Sequence, residues 1–436
     1  MKKVRVIGGG LAGVEAAWQL ASRGVAVDLY EMRPQVPTSV HETGLLAEMV
    51  CSNSLGATEI HSAAGLLKEE LRLLDSLILE QAALCRVPAG SSFSVDRLRL
   101  AELLTEKISG LPGVRLIREE ARDLPAEETV ILASGPLTSP DLAHSISRLT
   151  MRRNLFFFDA TSPIVRAETL DQERMFRASR YEKGDADFLN IALDEQAYRD
   201  FVSALTVAET VPIKDFESDR LFEACLPVEE IARRGEMTLA FGPLKPVGFS
   251  DPKDGVRPFA VVQLRQDDLN KDFYQLVGFQ TRLKRPEQKR VFRMLPGLEK
   301  AEFERFGRMH RNTYVNAPLI VDDRLRCRQR SSVRFCGQLS GVEGYLESIA
   351  SGLACGIFTA LELQGLEPPP LPRETALGSL IYTVCNSGWQ DFKPTKFSFG
   401  LLPAPAEKIR DKKERKENQA ALALENMRKW SAKHAI

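Results

Sequence analysis

Residues 4–13 read Val-Arg-Val-Ile-Gly-Gly-Gly-Leu-Ala-Gly, an apolar run ending in glycines spaced G-x-G-x-x-G at Gly8, Gly10 and Gly13. No other stretch limits the fold so tightly. Val4 to Ile7 predicts a buried strand, Leu11 to Arg23 a helix and Val25 to Tyr30 a second strand, a βαβ start. Gly8 allows the tight turn, Gly10 lets backbone approach a pyrophosphate, and Gly13 lets the helix pack on the strand. Gly9, Leu11 and Ala12 complete the expected contact segment, where N–H groups and the positive helix end face the phosphates. Glu31 follows 18 residues after Gly13, where a carboxylate can accept hydrogen bonds from a ribose. The bland alternative is a Gly-rich turn of an ordinary α/β domain. Strand, turn, helix, strand and acid in that order favour a dinucleotide. The motif itself suits FAD or NAD(P), and an acid at Glu31 disfavours the 2′-phosphate of a resident NADP.

The 436 residues suffice for two or three domains. Lys plus Arg equals Asp plus Glu at 59 each, so net charge selects no partner. No apolar run of about eighteen residues is expected to span a membrane, and the chain enters a strand at once, without a leader pattern. Its seven cysteines are scattered and form no C-x-x-C pair. This argues against a disulfide framework, a zinc or other metal site, and a dithiol flavoenzyme. A reducing cytoplasm is the natural setting.

Further along, Ala63 to Leu84 has helical periodicity, Arg86 to Val95 reads as a strand, and Asp96 to Ile108 as a helix. Val114 to Arg118 and Thr129 to Ala133 read as strands, the latter ending in Ser134-Gly135-Pro136. That turn is either a second approach to the dinucleotide or a plain connection. From about residue 150 the pattern changes to short strands (Phe156 to Phe158, Phe188 to Ala192, Ala260 to Leu264) among charged helices and Pro-rich turns. The apolar strand–turn–helix signature then returns: a strand ends at Cys336, and Gly337, Gly341 and Gly344 open a helix from Tyr345 to Gln364. A second Gly-rich helix start more than 300 residues downstream of the first suits FAD, whose flavin end needs covering. The expected fold is α/β: a Rossmann-type FAD-binding domain in two parts, 1–150 and 326–436, around an inserted α+β domain, 151–325. The tail from Glu407 is expected to be helical.

Several blocks together resemble one family, the folate- and FAD-dependent tRNA (uracil-5-)-methyltransferases. They include Ile7–Gly13, Val50-Cys-Ser-Asn-Ser-Leu55, Gly65-Leu-Leu-Lys-Glu-Glu70, Phe222-Glu-Ala-Cys-Leu-Pro227 and Phe241-Gly-Pro-Leu-Lys-Pro-Val-Gly248. Others are Val277–Thr281, Pro286–Arg290, Met309-His-Arg-Asn-Thr313, Cys336–Tyr345 and Phe399–Pro403. The likeness runs from residue 4 to about 403. Gly56 and Ala224 depart from the family's usual residues without removing a group the chemistry needs. The resemblance implies 5-methyluridine formation in the T-loop of tRNA. Methylenetetrahydrofolate would donate the carbon. FAD, reduced by NADH or NADPH, would supply electrons and carry the methylene at its N5. A related flavoprotein class modifies the wobble uridine but has an extra C-terminal helical domain, for which this chain is short. An FAD-holding RNA-binding protein without catalysis is the third possibility.

Carbon–carbon bond formation at C5 of uracil requires a nucleophilic C5, and a thiolate adding to C6 provides one. Cys51 and Cys225 lie in polar or Pro-flanked settings, whereas Cys336 ends an apolar strand and Cys355 lies inside an apolar helix. A single cysteine is usually a small buried hydrophobe; the resemblance singles out Cys51 and Cys225. It assigns Cys225 to C6 attack and Cys51 to assistance near the flavin, with the roles open to exchange. Tyr345 either stacks on the flavin or folate ring or packs at the helix start. Glu343 either bonds a flavin or ribose oxygen or sits in the favoured acidic first turn, and Gln338 belongs to the same expected contact segment. RNA requires cations: Arg282, Lys284, Arg285, Lys289 and Arg290 form one basic cluster, with others at 324–334 and in the tail. Each is either a phosphate-binding surface or a solvated face.

Overall fold

The computed structural model describes residues 3–182, 185–212, 226–251, 255–390, 392–404 and 409–436. The βαβ start lies in the middle of a six-stranded sheet. Lys3–Ile7 pairs in parallel with Ala26–Tyr30 on one side and Thr129–Leu132 on the other. Val114–Ile117 extends one edge in parallel. Arg330–Phe335 returns from far along the chain to pair in parallel with Thr129–Leu132, and Arg326–Cys327 finishes that edge antiparallel. Parallel strands covered on both faces read as continuous apolar runs, and Val4, Val6, Val27, Leu29, Val130 and Val333 are all buried. This is the expected Rossmann-type arrangement.

The helices Leu11–Ala21 and Tyr345–Leu363 pack against each other beside this sheet. The second bears on the expectation that no apolar run spans a membrane. Among the described residues it is long and apolar enough to cross a membrane, with mean hydropathy 1.4, yet 89% of that span is buried inside the protein. Its apolarity is that of a core helix.

A second six-stranded sheet, antiparallel throughout, takes the strands Phe176–Ala178, Phe188–Leu193, Ala260–Gln266, Phe273–Leu276, Ile164–Arg166 and Phe303–Arg305 in that spatial order. It has its own core, in which Val262, Leu264 and Tyr274 meet Phe201, Phe279 and Phe292. Between the two sheets runs a ribbon, Leu155–Ala160 against Met309–Tyr314, which sets His310 opposite Asp159.

Three local expectations are corrected. Ala63 to Leu84 is two helices, Ala63–Leu73 and Leu77–Leu84. Asp75 between them takes φ 56°, and Ser76 caps the second helix. The buried Glu15 carboxylate fixes the break by accepting from Ser76 Oγ (2.8 Å) and the Ile78 N–H (3.1 Å). Periodicity carried across the break because both helices bury leucines on one side. Arg86 to Val95 is two short antiparallel strands, Arg86–Val87 and Ser92–Val95, turned at Gly90. The tail helix spans Lys412–His434, with Asp411 as its cap; Glu407 lies outside the described residues.

Candidate active site

A cavity of about 490 Å³ opens along the C-terminal ends of the parallel strands and reaches the ribbon and the second sheet. Open α/β sheets bind ligands at that end. Gly8, Gly10, Leu11, Ala12, Glu31, Gly337, Gln338, Glu343, Gly344, Tyr345 and Cys51 all line it. Gly9 and Gly13 stand behind the wall. A Cβ on Gly13 would lie 1.8 Å from the Gly8 carbonyl oxygen, so only glycine fits there. A Cβ on Gly10 would meet nothing within 4 Å, leaving space that a pyrophosphate can fill. No side chain caps the Leu11–Ala21 helix, so its first N–H groups have no capping side chain to satisfy them. The turn at Ser134-Gly135-Pro136 also lines the cavity, which favours the first of its two expected roles, an approach to the ligand.

Glu31 sits at the end of its strand and is buried. One oxygen accepts the Gly9 N–H at 2.9 Å; the other accepts the N–H and Nε of Arg33, each at 2.9 Å. Burial alone would raise its pKa, but the Arg33 hydrogen bond and charge, with the backbone N–H groups, hold it below the usual carboxylate value. It is therefore an ionised acceptor facing the cavity. Glu343 differs. Burial and the neighbouring Asp159 carboxylate push it up to about 8, so it holds a proton at neutral pH. Gln338 Nε2 donates to it at 2.8 Å.

Cys51 is held from both halves of the protein. Its N–H donates to the Tyr345 hydroxyl at 2.7 Å, and its carbonyl accepts from Gln275 Nε2 at 2.7 Å. The Sγ lies 3.9 Å from the Ala160 carbonyl oxygen. Tyr345 is thus tied to the Cys51 backbone through its hydroxyl, a contact that neither of its expected roles named. Lys68, from the Gly65–Glu70 block, donates to the Leu55 and Ala57 carbonyls at 2.8 Å each and so fixes the strand that follows Cys51. Cys225 lies outside the described residues. The six described cysteines are all free. Among the described residues no group of His, Cys, Asp and Glu is arranged to hold a metal.

The basic cluster is largely engaged within the protein. Arg282 pairs with Glu230, Lys284 Nζ with Glu209 at 2.6 Å, and Arg290 with Glu287 at 2.6 Å. Arg285 and Lys289 instead face the Phe306 ring at 5.6 and 5.7 Å.

Several cavity residues were not singled out as site residues from the sequence. Asp159, His310 and Asn312 come from the ribbon, Arg265 from the second sheet, and Lys396 from the loop before the tail. Burial lowers the His310 pKa against the opposing pull of Asp159, and its Nδ1 has no hydrogen-bond partner among the described residues. The sequence did carry one signal for His310 and Asn312, since both lie in the Met309–Thr313 block. The strand expected to end at Leu264 continues to Gln266, which brings Arg265 to the cavity.

Comparison with known proteins follows the same lines. The family model for glucose inhibited division protein A matches residues 3–367. The chain is 50% identical over 433 residues to the methylenetetrahydrofolate--tRNA-(uracil-5-)-methyltransferase TrmFO of Heliobacterium modesticaldum, covering 99% of each chain. It is 51% identical to the protein of that name from Pelotomaculum thermopropionicum, covering 98% of each. Two crystal forms of Aquifex aeolicus GidA share the fold at 16% identity, with TM-scores of 0.69 and 0.70, covering 98% of this chain and 73% and 76% of theirs. A parallel sheet with a glycine cradle, an inserted antiparallel sheet and near-complete alignment at half identity lead to one conclusion: the chain belongs to the methylenetetrahydrofolate--tRNA-(uracil-5-)-methyltransferase family.

Proposed function

We propose that this protein converts a T-loop uridine of tRNA to 5-methyluridine, with methylenetetrahydrofolate as carbon donor and FAD, reduced by NADH or NADPH, as reductant. The observation that carries this reading is the placement of Cys51 in the wall of the same cavity as the glycine cradle and Glu31. Gly8, Gly10 and the uncapped helix start would hold the FAD pyrophosphate, and Glu31 the adenosine ribose. Gly337, Gln338 and Gly344 would close over the flavin end. Bound FAD supplies the electron pair that turns the transferred methylene carbon into a methyl group.

The chain's own residues do the rest. The Cys225 thiolate adds to C6 of uracil, and the C5=C6 electron pair moves onto C5 and the C4 oxygen. C5 then bonds to the folate-derived carbon and loses its proton; that carbon's bond to nitrogen breaks with the electron pair leaving on nitrogen, the carbon would take the hydride equivalent that reduced FAD supplies, and the thiolate departs from C6. Cys51, fixed at its N–H and its carbonyl, would take the C5 proton. Glu343 holds a proton inside the cavity at neutral pH and can return it to a departing nitrogen. Arg285 and Lys289 are the members of the 282–290 cluster that would reach RNA phosphates, with Arg282, Lys284 and Arg290 holding the surface around them.

The test is incubation of the purified protein with unmodified tRNA, methylene-labelled folate and NADH. Label in 5-methyluridine is expected, and label arriving only from S-adenosylmethionine overturns the proposal. Cys225→Ala is expected to abolish transfer while FAD stays bound; an active variant would remove Cys225 from its role.

A further inference from the structure

Two guanidinium groups line the cavity, and they differ in one respect. Arg33 is paired with Glu31 and Glu48. Arg265 has no carboxylate within ion-pair distance among the described residues. Its Nη2 donates to Ser52 Oγ at 2.8 Å and to Gln275 Oε1 at 2.7 Å, both uncharged acceptors. Its Nε is buried with no partner, and its Nη1 makes no hydrogen bond among the described residues.

The acid nearest to it in sequence does not compensate it. Asp267 is paired with Arg97, whose Nη1 also donates to the Met49 carbonyl at 3.2 Å. Arg97 adds like charge: desolvation, then Arg97, lowers the Arg265 pKa to about 10, while Asp267 opposes them. Arg265 still carries its proton at neutral pH. A half-buried cation whose Nε is buried without a partner, set beside another cation, costs free energy unless an anion joins it. The cost is borne within one residue's reach of Cys51, since Ser52 and Gln275 contact both the Arg265 guanidinium and the Cys51 segment.

We propose that Arg265 holds the ring oxyanion of the pyrimidine, the C4 oxygen that gains charge when the cysteine adds to C6. This rests on the reaction proposed above. In that step the S–C6 bond forms, the C5=C6 pair shifts to C5 and the C4 oxygen, and no proton moves to or from Arg265. The guanidinium donates N–H groups to the oxygen while its charge is high, is released as C5 gains its new carbon, and is engaged again as C5 loses its proton. Such a donor acts at the transition state and not on the resting substrate. Arg265 is then a catalytic residue from the inserted sheet, acting on chemistry begun by a cysteine.

The experiment follows release of tritium from RNA stem-loops carrying [5-³H]uridine at the target position, in the complete reaction mixture. FAD content, flavin reduction by NADH and RNA affinity are measured separately. In R265Q, which can still donate to Ser52 but lacks the charge, release is expected to slow ~100-fold or more, as for loss of one oxyanion donor. FAD content, flavin reduction and RNA affinity should stay within about threefold. R265K should recover at least about tenfold of the loss, because charge and not shape is the requirement. Release by R265Q at the wild-type rate overturns the proposal, as does an equal fall in flavin reduction or RNA affinity, which marks a structural role. If the wild-type protein transfers no label from folate to uracil, the underlying reaction fails, and that failure is seen without any variant.

Discussion

Tyr345 separates two roles that a single substitution can tell apart. If its ring stacks on a bound heterocycle, Tyr345→Phe should be silent, because phenylalanine offers the same face. The structure gives the hydroxyl the work: it accepts the Cys51 N–H at 2.7 Å, and burial keeps the phenol protonated. Removing the oxygen leaves that N–H without its acceptor, at a cost of about 1–3 kcal/mol for a buried group. Cys51 is half-buried, so the lower part of that range, about 1–2 kcal/mol, applies. The same free energy holds the Cys51 backbone in place, and 1–2 kcal/mol corresponds to about a 5–30-fold change in population. Tyr345→Phe should therefore lower the denaturant midpoint in proportion and cut kcat by about 5–30-fold, with FAD content unchanged. Iodoacetamide should alkylate Cys51 faster as the segment loosens. A Tyr345→Phe protein with wild-type kcat and an unshifted midpoint would refute the reasoning and return the residue to a stacking role.

Gly13→Ala should give a protein that retains no flavin absorbance after purification, because its Cβ would overlap the Gly8 carbonyl at 1.8 Å and force the turn open. Glu15 and Glu70 are buried, with burial raising them to about 7 and about 8. Between the unfolded value of about 4.5 and these folded values the native state binds more protons. Stability should therefore fall as pH rises from about 5 to about 8, and Glu70→Gln should flatten that slope in chemical denaturation at each pH. Replacing Arg285 and Lys289 together should reduce the salt dependence of tRNA binding by up to about 0.9 in log–log slope per lost phosphate contact. Arg282→Gln should instead lower thermal stability with little change in that slope, since Arg282 is already paired with Glu230.

The fold was legible wherever one local rule decided it. The glycine spacing and the apolar runs around it were sufficient for the parallel sheet, because a strand buried on both faces leaves a continuous apolar signature. The return at Cys336–Tyr345 was legible for the same reason. The break at Asp75 was not. It is set by Glu15, sixty-one residues from Ser76, and periodicity cannot register a partner so distant in sequence. The site divides similarly. Gly10, Glu31 and Cys51 carried motif chemistry of their own, whereas Arg265 stood one residue past an expected strand end, before the polar run Gln266-Asp267-Asp268. Only pairing with Phe273–Leu276 and the hydrogen bonds to Ser52 and Gln275 give it a place in the cavity.

The segment after Cys51 belongs to the cofactor-binding half by sequence, yet its hydrogen bonds cross to the inserted sheet. Cys51 accepts from Gln275, Ser52 from Arg265, and Asn53 Nδ2 donates to the Gln266 carbonyl at 3.0 Å. Tyr345 holds the same segment from the other side. A thiol mounted on either half alone would move whenever the halves shifted relative to each other, and a displacement of about 1 Å can cost about 100-fold in rate. Bonding one short segment to both halves ties the geometry of the thiol to the arrangement of the two sheets. The inserted sheet therefore forms part of the wall of the cavity that Cys51 lines.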